Sequence, residues 1–591
     1  MLAPELGDDG TEWVPRGPRG KETVRGYSLI AIPMTGLLVW LGASGVPVRG
    51  MPTGREADSV TFVRDIAPIL HRRCAGCHHP GGSAPFPLIS YDDARSRGPL
   101  IVDVTARRYM PPWLPADIGV PFRGERRLSD DELRVLREWV DAGMPKGSSP
   151  DRSAPPAFPS GWTLGEPDLV VEFPVYEAPA RGRDIYRNLV AAIPVTRLQY
   201  VASVEIRPGA SVVHHARMMV DTTASSRQLD ARDPESGFNG MDLRSSATNP
   251  DGFFVGWTPG KVAARGEGDL GWPVRPGTDV VLQLHIRPNG EVTPVRPRIG
   301  FYFARRAPRH LPVLVMLGSE TIDIPAGDSA YVVRDSFPLS TDVDVLGVYP
   351  HAHYLGHRLY GFATLPGGKR QWLLRIDDWD FNWQDEYHYR RPIHLPRGSV
   401  IHLEYRYDNS GANPRNPNHP PRRVRYGPNS TDEMADLVVQ VMPTHPRDRA
   451  DLLERLNRKY YTAGMVSLAF GERITGDSLV ELGELDSALS HYRGALSFRA
   501  DDPEIFTRMV RVLVRQGDAA SARTVAEHAA QLTGYQDAGV LGGLAAAYAA
   551  GGHVGEAIRV LEQAIPIAEA RRQGDVAERL RAQLTRYRAR L

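Results

Sequence analysis

Between Trp162 and Pro443 the chain is a succession of short runs, LQYVASVEI, DVVLQLHI, RIGFYFA, DVDVLGVY, SVIHLEYRY and DLVVQV, rich in valine and aromatics and broken by Gly, Pro and Asn turns. Frequent alternation in pieces of strand length predicts an all-β region, sandwich or barrel, long enough for two domains, divided here as 162–310 and 311–445. From Asp448 the pattern changes to Ala, Leu, Arg and Glu at helical spacing, so residues 446–591 read as helices. With 591 residues, the chain has room for about four folded units. Its 71 basic residues balance 70 acidic ones, and 42% of residues are apolar, which argues against disorder and against nucleic acid as the main partner.

The helical segment repeats. Gly483-Glu-Leu-Asp-Ser-Ala488, Gly517-Asp-Ala-Ala-Ser-Ala522 and Gly552-His-Val-Gly-Glu-Ala557 align at offsets of 34 and 35 residues. A Gly in the turn between two helices and an Ala where they pack closely give the pattern a mechanical reason. The segment resembles tetratricopeptide repeats, a helical solenoid that offers a concave surface to a protein partner. An ordinary helical bundle is the alternative.

At the other end, Tyr27–Val46 is mostly apolar and follows Arg16, Arg19, Lys21 and Arg25. Residues 1–50 therefore read as a secretory signal or an N-terminal membrane anchor, and either places the rest of the protein outside the cytoplasm, in the periplasm or facing it. Ser148–Gly161, with four prolines, reads as a stiff linker after a compact segment, 51–147.

The chain has two cysteines, Cys74 and Cys77, too close in sequence to staple distant segments. Cys74-Ala-Gly-Cys77-His78 is C-x-x-C-H, the attachment motif of c-type haem, in which two thioethers hold the porphyrin and the histidine ligates iron. A redox C-x-x-C lacks its βαβ context here, and a zinc site lacks further cysteines. Ser129-x-x-Glu132 is a capping box opening a helix with Leu133, Leu136, Trp139 and Val140 as its inner stripe and Gly143 at its end. With DIAPIL, YMPPW and LSDDELRVLREWVDAGMP, the segment resembles small all-α cytochrome c domains fused to bacterial multidomain proteins. That resemblance implies covalently attached haem c with Met110 as the sixth ligand; Met144, His79 and His71 compete for the role.

Eighteen histidines are spread along the chain, and within the β region five fall into three compact motifs: His214-His215, His285 in Gln283-x-His, and His351-x-His353. Alternate positions on a strand share a face, so His351 and His353 can grip one metal ion. Adjacent His214 and His215 point to opposite faces of a regular strand, and joint ligation requires an edge or a bulge. In this order, and followed by Asp432-Glu433-Met434, the motifs resemble the copper type II monooxygenase family, which includes peptidylglycine α-hydroxylating and dopamine β-monooxygenases. The resemblance spans Trp162–Pro443, about half the chain, and extends to GWTPG (Gly256–Gly260) and the YLGH after His353.

The family resemblance implies two jelly-roll-like β sandwiches facing each other across a solvent-filled cleft, with two copper ions. His214, His215 and His285 would hold the electron-transfer copper; His351, His353 and Met434 would hold the oxygen-binding copper, where a soft thioether favours Cu(I). Met218, Met219 and Met442 are the rival thioethers. The peptide-amidating members hold a terminal carboxylate with an Arg, an Asn and a Tyr, where this chain carries Tyr349, Asp436 and Val438, so a glycine-extended peptide is not the expected substrate. The family's disulfide cysteines are absent too.

Together these features imply an exported enzyme that hydroxylates a small-molecule or peptide substrate with O2, the haem passing electrons from an extracytoplasmic donor, with Ser148–Gly161 tethering the haem domain. A non-catalytic haem and copper protein, as sensor or electron conduit, and a ligand-binding scaffold are the other classes. Copper-dependent and reductant-dependent oxygen consumption separates them.

Overall fold

The computed structural model describes residues 60–80, 82, 84–148, 161–241, 243, 246–259, 261, 263 and 269–590. The apolar segment Tyr27–Val46 and linker positions 149–160 lie outside them. Among the described residues no helix is long and apolar enough to cross a membrane.

The first helical region comprises Ala67–Arg73, Tyr91–Arg95, Gly98–Ala106 and Asp130–Asp141. The last of these starts as its residues require: Ser129 Oγ accepts from the Glu132 N–H at 3.1 Å, and Glu132 Oε2 accepts from the Ser129 N–H at 2.8 Å. Leu136 and Trp139 are buried with Phe62, Ile66, Leu70 and Ile101, while Leu133 and Val140 pack at the margin. The Trp139 indole N–H and the Phe62 N–H both donate to the Pro145 carbonyl, at 3.0 and 2.9 Å, tying the two ends of the region together.

The central region is built of antiparallel sheets over two cores. In the first half, a four-stranded sheet runs Leu169–Glu172, Arg298–Phe303, Gln199–Arg207, Trp272–Val274. A five-stranded sheet runs Phe238–Asn239, Ile185–Ala192, Asp279–Ile286, Val213–Asp221, Val255–Trp257, and the two share one core that includes Val201, Phe301, Leu282 and Leu284. Strand Asp279–Ile286 is buried at every position, because Val281 on its other face packs with Val190, Met219, Phe238 and Leu243. In the second half, Val313–Gly318, Asp436–Pro443, Val343–His351 and Tyr387–Leu395 form one sheet. Tyr331–Pro338, Val400–Tyr407, Gly356–Thr364 and Arg370–Ile376 form the other.

Seven helices follow, from Arg449–Leu482 to Gly574–Arg588. Gly483, Gly517 and Gly552 adopt φ of 83°, 81° and 83°, the left-handed conformation that ends a helix without a Cβ penalty. Ala488, Ala522 and Ala557 are fully buried where successive helices meet. The repeated Gly and Ala thus occupy turn and contact positions. The first half of Arg449–Leu482 belongs instead to the β region: Leu452 and Leu456 enter its second core, and the Tyr460 hydroxyl accepts from the Met316 N–H at 2.9 Å.

The division at 147 is also crossed by packing. Between the third and fourth helices of the first region, residues 113–127 lie against the second β core, where Phe122 is buried beside Tyr387 and Tyr389. Trp113 meets Tyr387 edge-on at 5.4 Å. Backbone bonds Ala116 N–H to Arg375 O (2.7 Å), Arg123 N–H to His388 O (2.8 Å) and Arg390 N–H to Pro121 O (3.0 Å) run alongside, and Arg126 pairs with Asp385 at 2.7 Å. The helical region is therefore docked by its own inserted loop and does not depend on the 148–161 linker to stay near the β region. Phe122→Ala empties a buried ring site and is expected to cost about 3–5 kcal/mol. Denaturant unfolding and limited proteolysis within 113–127 check this; cleavage there should rise in the variant.

Candidate metal centres

Strand Val213–Asp221 pairs with Asp279–Ile286 so that His215 lies opposite His285, and the register shifts between Val213 and His215. That bulge brings His214 round to join its neighbour, meeting the condition set by the adjacent-histidine motif. His214 Nδ1 lies 3.2 Å from His215 Nδ1, and His285 Nδ1 lies 3.4 Å from the same atom. Nitrogens bound to one ion at 2.0–2.1 Å are separated by about 3.3–3.6 Å, so the spacing suits a common ligand. His285 Nε2 donates to Asp184 Oδ2 at 3.0 Å, which leaves its Nδ1 as an acceptor, and Tyr186 stacks on the ring at 4.6 Å.

His351 ends strand Val343–His351 and pairs with Asp436, two residues past Met434. The rings of His351 and His353 stand 5.2 Å apart and perpendicular. A buried carboxyl group builds this corner: Glu433 accepts from the N–H groups of His353 (2.9 Å), Leu355 (2.6 Å) and Met434 (3.2 Å). Burial pushes its carboxyl up to about 8 against the pull of these backbone donors. His353 Nδ1 donates to the Asp432 carbonyl at 3.1 Å, while its Nε2 is buried and has no hydrogen-bond partner. An orphaned imidazole nitrogen beside a second imidazole fits a metal ion, and Met434 is buried with its backbone tied to the same Glu433 carboxyl. Met218 and Met219 are taken up in apolar packing, and Met442 lines a separate cleft.

Burial pulls four of these imidazoles down: His214 and His353 to about 3, His351 to about 4 and His215 well below its ordinary value, with neighbouring imidazoles adding to the effect. They are neutral, the form that ligates metal.

Cys74 and Cys77 follow helix Ala67–Arg73 in a turn and are not disulfide-bonded. Burial pushes the Cys74 thiol up to about 12. His78 Nδ1 donates to the Phe86 carbonyl at 2.9 Å, which leaves Nε2 for a ligand. A mainly apolar cavity of about 360 Å³ is lined by Cys74, Cys77, His78 and Met110. The competitors lie elsewhere: His71 bonds the Ile89 carbonyl, His79 bonds the Ala75 carbonyl, and Met144 packs on Gly98 in the helical core. The residues around the cavity fit a flat apolar group held at Cys74, Cys77 and His78.

The same cavity is walled on its far side by His214, His215, Trp383 and Gln384, and by Thr258 and Pro259 of the GWTPG stretch, whose Gly260 lies outside the described residues. The three centres thus adjoin. Phe381 sits between two of them, stacked on His214 at 5.3 Å and edge-on to His353 at 5.5 Å. The loop after Trp379 thus brings one aromatic ring against a histidine of each set. A larger cleft of about 1590 Å³ lies to one side and reaches Cys77, Phe254, Tyr349 and Val438 but none of the clustered histidines. Tyr349 stacks on Phe254 at 4.3 Å, and burial pushes the Asp436 carboxyl up to about 6. Asp184, Tyr186, Phe381 and Gln384 carry no sequence signal as site residues; Glu433 was visible only as part of the triplet before Met434.

No family model and no curated protein matches the chain. Among solved structures it is similar to the TPR2B domain:pHsp70 complex of yeast Sti1 (14% identity, 21% of this chain, 98% of that one, TM-score 0.20). It is also similar to the Sgt2 TPR domain from Aspergillus fumigatus (17%, 21%, 78%, 0.18) and the first TPR domain of human RPAP3 (18%, 21%, 93%, 0.19). Likeness at TM-scores of this size carries no conclusion about fold or chemistry.

Unfolded imidazoles titrate near 6.5, whereas these stay neutral in the folded, metal-free protein down to about 3–4. Between those values the unfolded chain binds more protons, so stability falls as pH is lowered, by up to about 1.4 kcal/mol per pH unit for each such histidine. Urea unfolding of chelator-treated protein at pH 7 and pH 5 checks this, and His353→Asn should flatten the dependence.

Proposed function

We propose that the chain is an exported copper-dependent monooxygenase that hydroxylates a C–H bond of an organic substrate with O2, supplied with electrons through a covalently attached c-type haem. The carrying observation is adjacency: the cavity beside Cys74, Cys77, His78 and Met110 is also walled by His214 and His215, and one ring separates His214 from His353. Under this reading the first helical region is a small cytochrome c, in which Cys74 and Cys77 would hold the haem and His78 and Met110 would ligate its iron. The β halves are jelly-roll-like sandwiches, and the C-terminal hairpins are a tetratricopeptide solenoid for a protein partner. Export rests on the apolar N-terminal segment, with its preceding basic residues.

His214, His215 and His285 would hold the electron-transfer copper, and His351, His353 and Met434 the oxygen-binding copper. Bound copper supplies the redox chemistry by which R–H, O2, two electrons and two protons become R–OH and water. The chain's own contribution is preorganisation. Asp184 sets the tautomer of His285, Glu433 fixes the backbone carrying His353 and Met434, and burial keeps His214, His215, His351 and His353 unprotonated. In the cleft beside Tyr349 and Val438, with Asp436 near by and no Arg at position 349, an anionic terminus has no clamp.

A second reading, a non-catalytic haem and copper electron-transfer or sensor protein, is favoured by one observation: Phe381 occupies the space between His214 and His353. The two readings part on oxygen consumption.

Protein matured in a host that attaches haem c is expected to carry one haem and two coppers per chain, by visible absorbance and elemental analysis. His285→Ala and Met434→Ala should each lower the copper content, and Met434→Ala should abolish reductant-dependent oxygen uptake. One haem with no copper above background overturns the oxygenase reading.

A further inference from the structure

Gln384 lies in the loop that joins Trp379 to strand Tyr387–Leu395, and its side chain is buried. Its amide makes two hydrogen bonds: Nε2 donates to the Phe381 carbonyl at 3.0 Å, and Oε1 lies 2.6 Å from His351 Nδ1. The first bond decides the second. A backbone carbonyl only accepts, so the NH2 end of the amide must face Phe381 and the oxygen must face His351. An amide oxygen cannot donate, so the proton of the neutral His351 ring resides on Nδ1, and Nε2 carries the lone pair. His353 reaches the same tautomer by another route, through the Asp432 carbonyl.

The same short loop does more. Trp379 Nε1 donates to the His353 carbonyl at 3.1 Å, the Phe381 ring lies between His214 and His353, and Gln384 itself faces the cavity beside Cys77 and His78. Arg126 of the docked helical region holds the next residue, Asp385, at 2.7 Å. Gln384 is thus clamped from both sides of the loop.

We propose that Gln384 is a positioning residue of the His351, His353 and Met434 centre, selecting Nε2 of His351 as its ligand atom and fixing the ring's rotation. This rests on the reading that those residues hold copper. Partners of this kind, behind a ligating histidine, typically carry 10–100-fold in metal affinity. Gln384→Met keeps the length and removes the acceptor; Gln384→Glu restores an acceptor for the Nδ1 proton.

The test uses haem-loaded full-length protein, titrated with copper and followed by the paramagnetic resonance spectrum of each Cu(II) centre. His285→Ala provides the spectrum of the second centre without the first. Expected in Gln384→Met is a loss of tenfold or more in affinity at the second centre with an altered hyperfine pattern, an unchanged first centre, and recovery of both in Gln384→Glu. Second-centre binding within twofold of wild type and an unaltered spectrum in Gln384→Met overturns the proposal, as does a Gln384→Glu protein as impaired as Gln384→Met. If the wild-type protein takes up no copper at His351 and His353, the copper reading itself falls and this inference with it; copper uptake with an indifferent Gln384 overturns the inference alone.

Discussion

The burial of Phe122 in the second β core is the contact on which the arrangement of centres depends. A small helical domain on a proline-rich connection would otherwise sample many orientations. Inserting Phe122 against Tyr387 and Tyr389, with Trp113 alongside and strand-like hydrogen bonds at Ala116 and Arg123, removes that freedom. Fully burying such a ring contributes about 1.5–3 kcal/mol of transfer free energy, with directional bonds fixing the register. Because strand Tyr387–Leu395 and the loop before it carry both the docking contacts and Gln384, docking the helical region also sets the wall of its cavity.

A second constraint is electrostatic. Placing imidazoles in a dry interior is tolerable only when they are neutral and each nitrogen has a use. Asp184, the Asp432 carbonyl, Gln384 and the Phe86 carbonyl accept hydrogen bonds from the ring N–H groups of His285, His353, His351 and His78, and each bond leaves the opposite nitrogen as an acceptor. His353 Nε2 is then left buried without a partner, a cost that a bound ion would offset. Glu433 follows the same logic: its buried carboxyl is tolerated because backbone donors surround it, and in return it shapes the turn from His351 to Leu355.

Much of this was legible before folding. The Ser129 and Glu132 capping box, the buried stripe of Leu136 and Trp139, the Gly and Ala periodicity of the last helices, and the need for a bulge at His214 are local matters, and each is met in place. Met110 lines the cavity with Cys74, Cys77 and His78, whereas Met144, His71 and His79 do not. What escaped were groups whose role depends on a distant neighbour. Phe381 and Gln384 sit in DFNWQDE, an unremarkable polar and aromatic loop by composition, and Asp184 reads as a surface charge until His285 is brought to it across the sheet.

The sequence by itself determined the kinds of element, their order, and which side chains are suited to hold metal or haem, because periodicity, caps and ligand chemistry are properties of residues within a few positions of one another. Only the tertiary structure decided that the three sets of candidate residues adjoin, that the Phe381 ring lies against both His214 and His353, and that Gln384 stands behind His351. Those outcomes depend on contacts between segments far apart in the chain, where side-chain volume and the demand for a partner at every buried polar atom select one arrangement, and no local pattern records the choice.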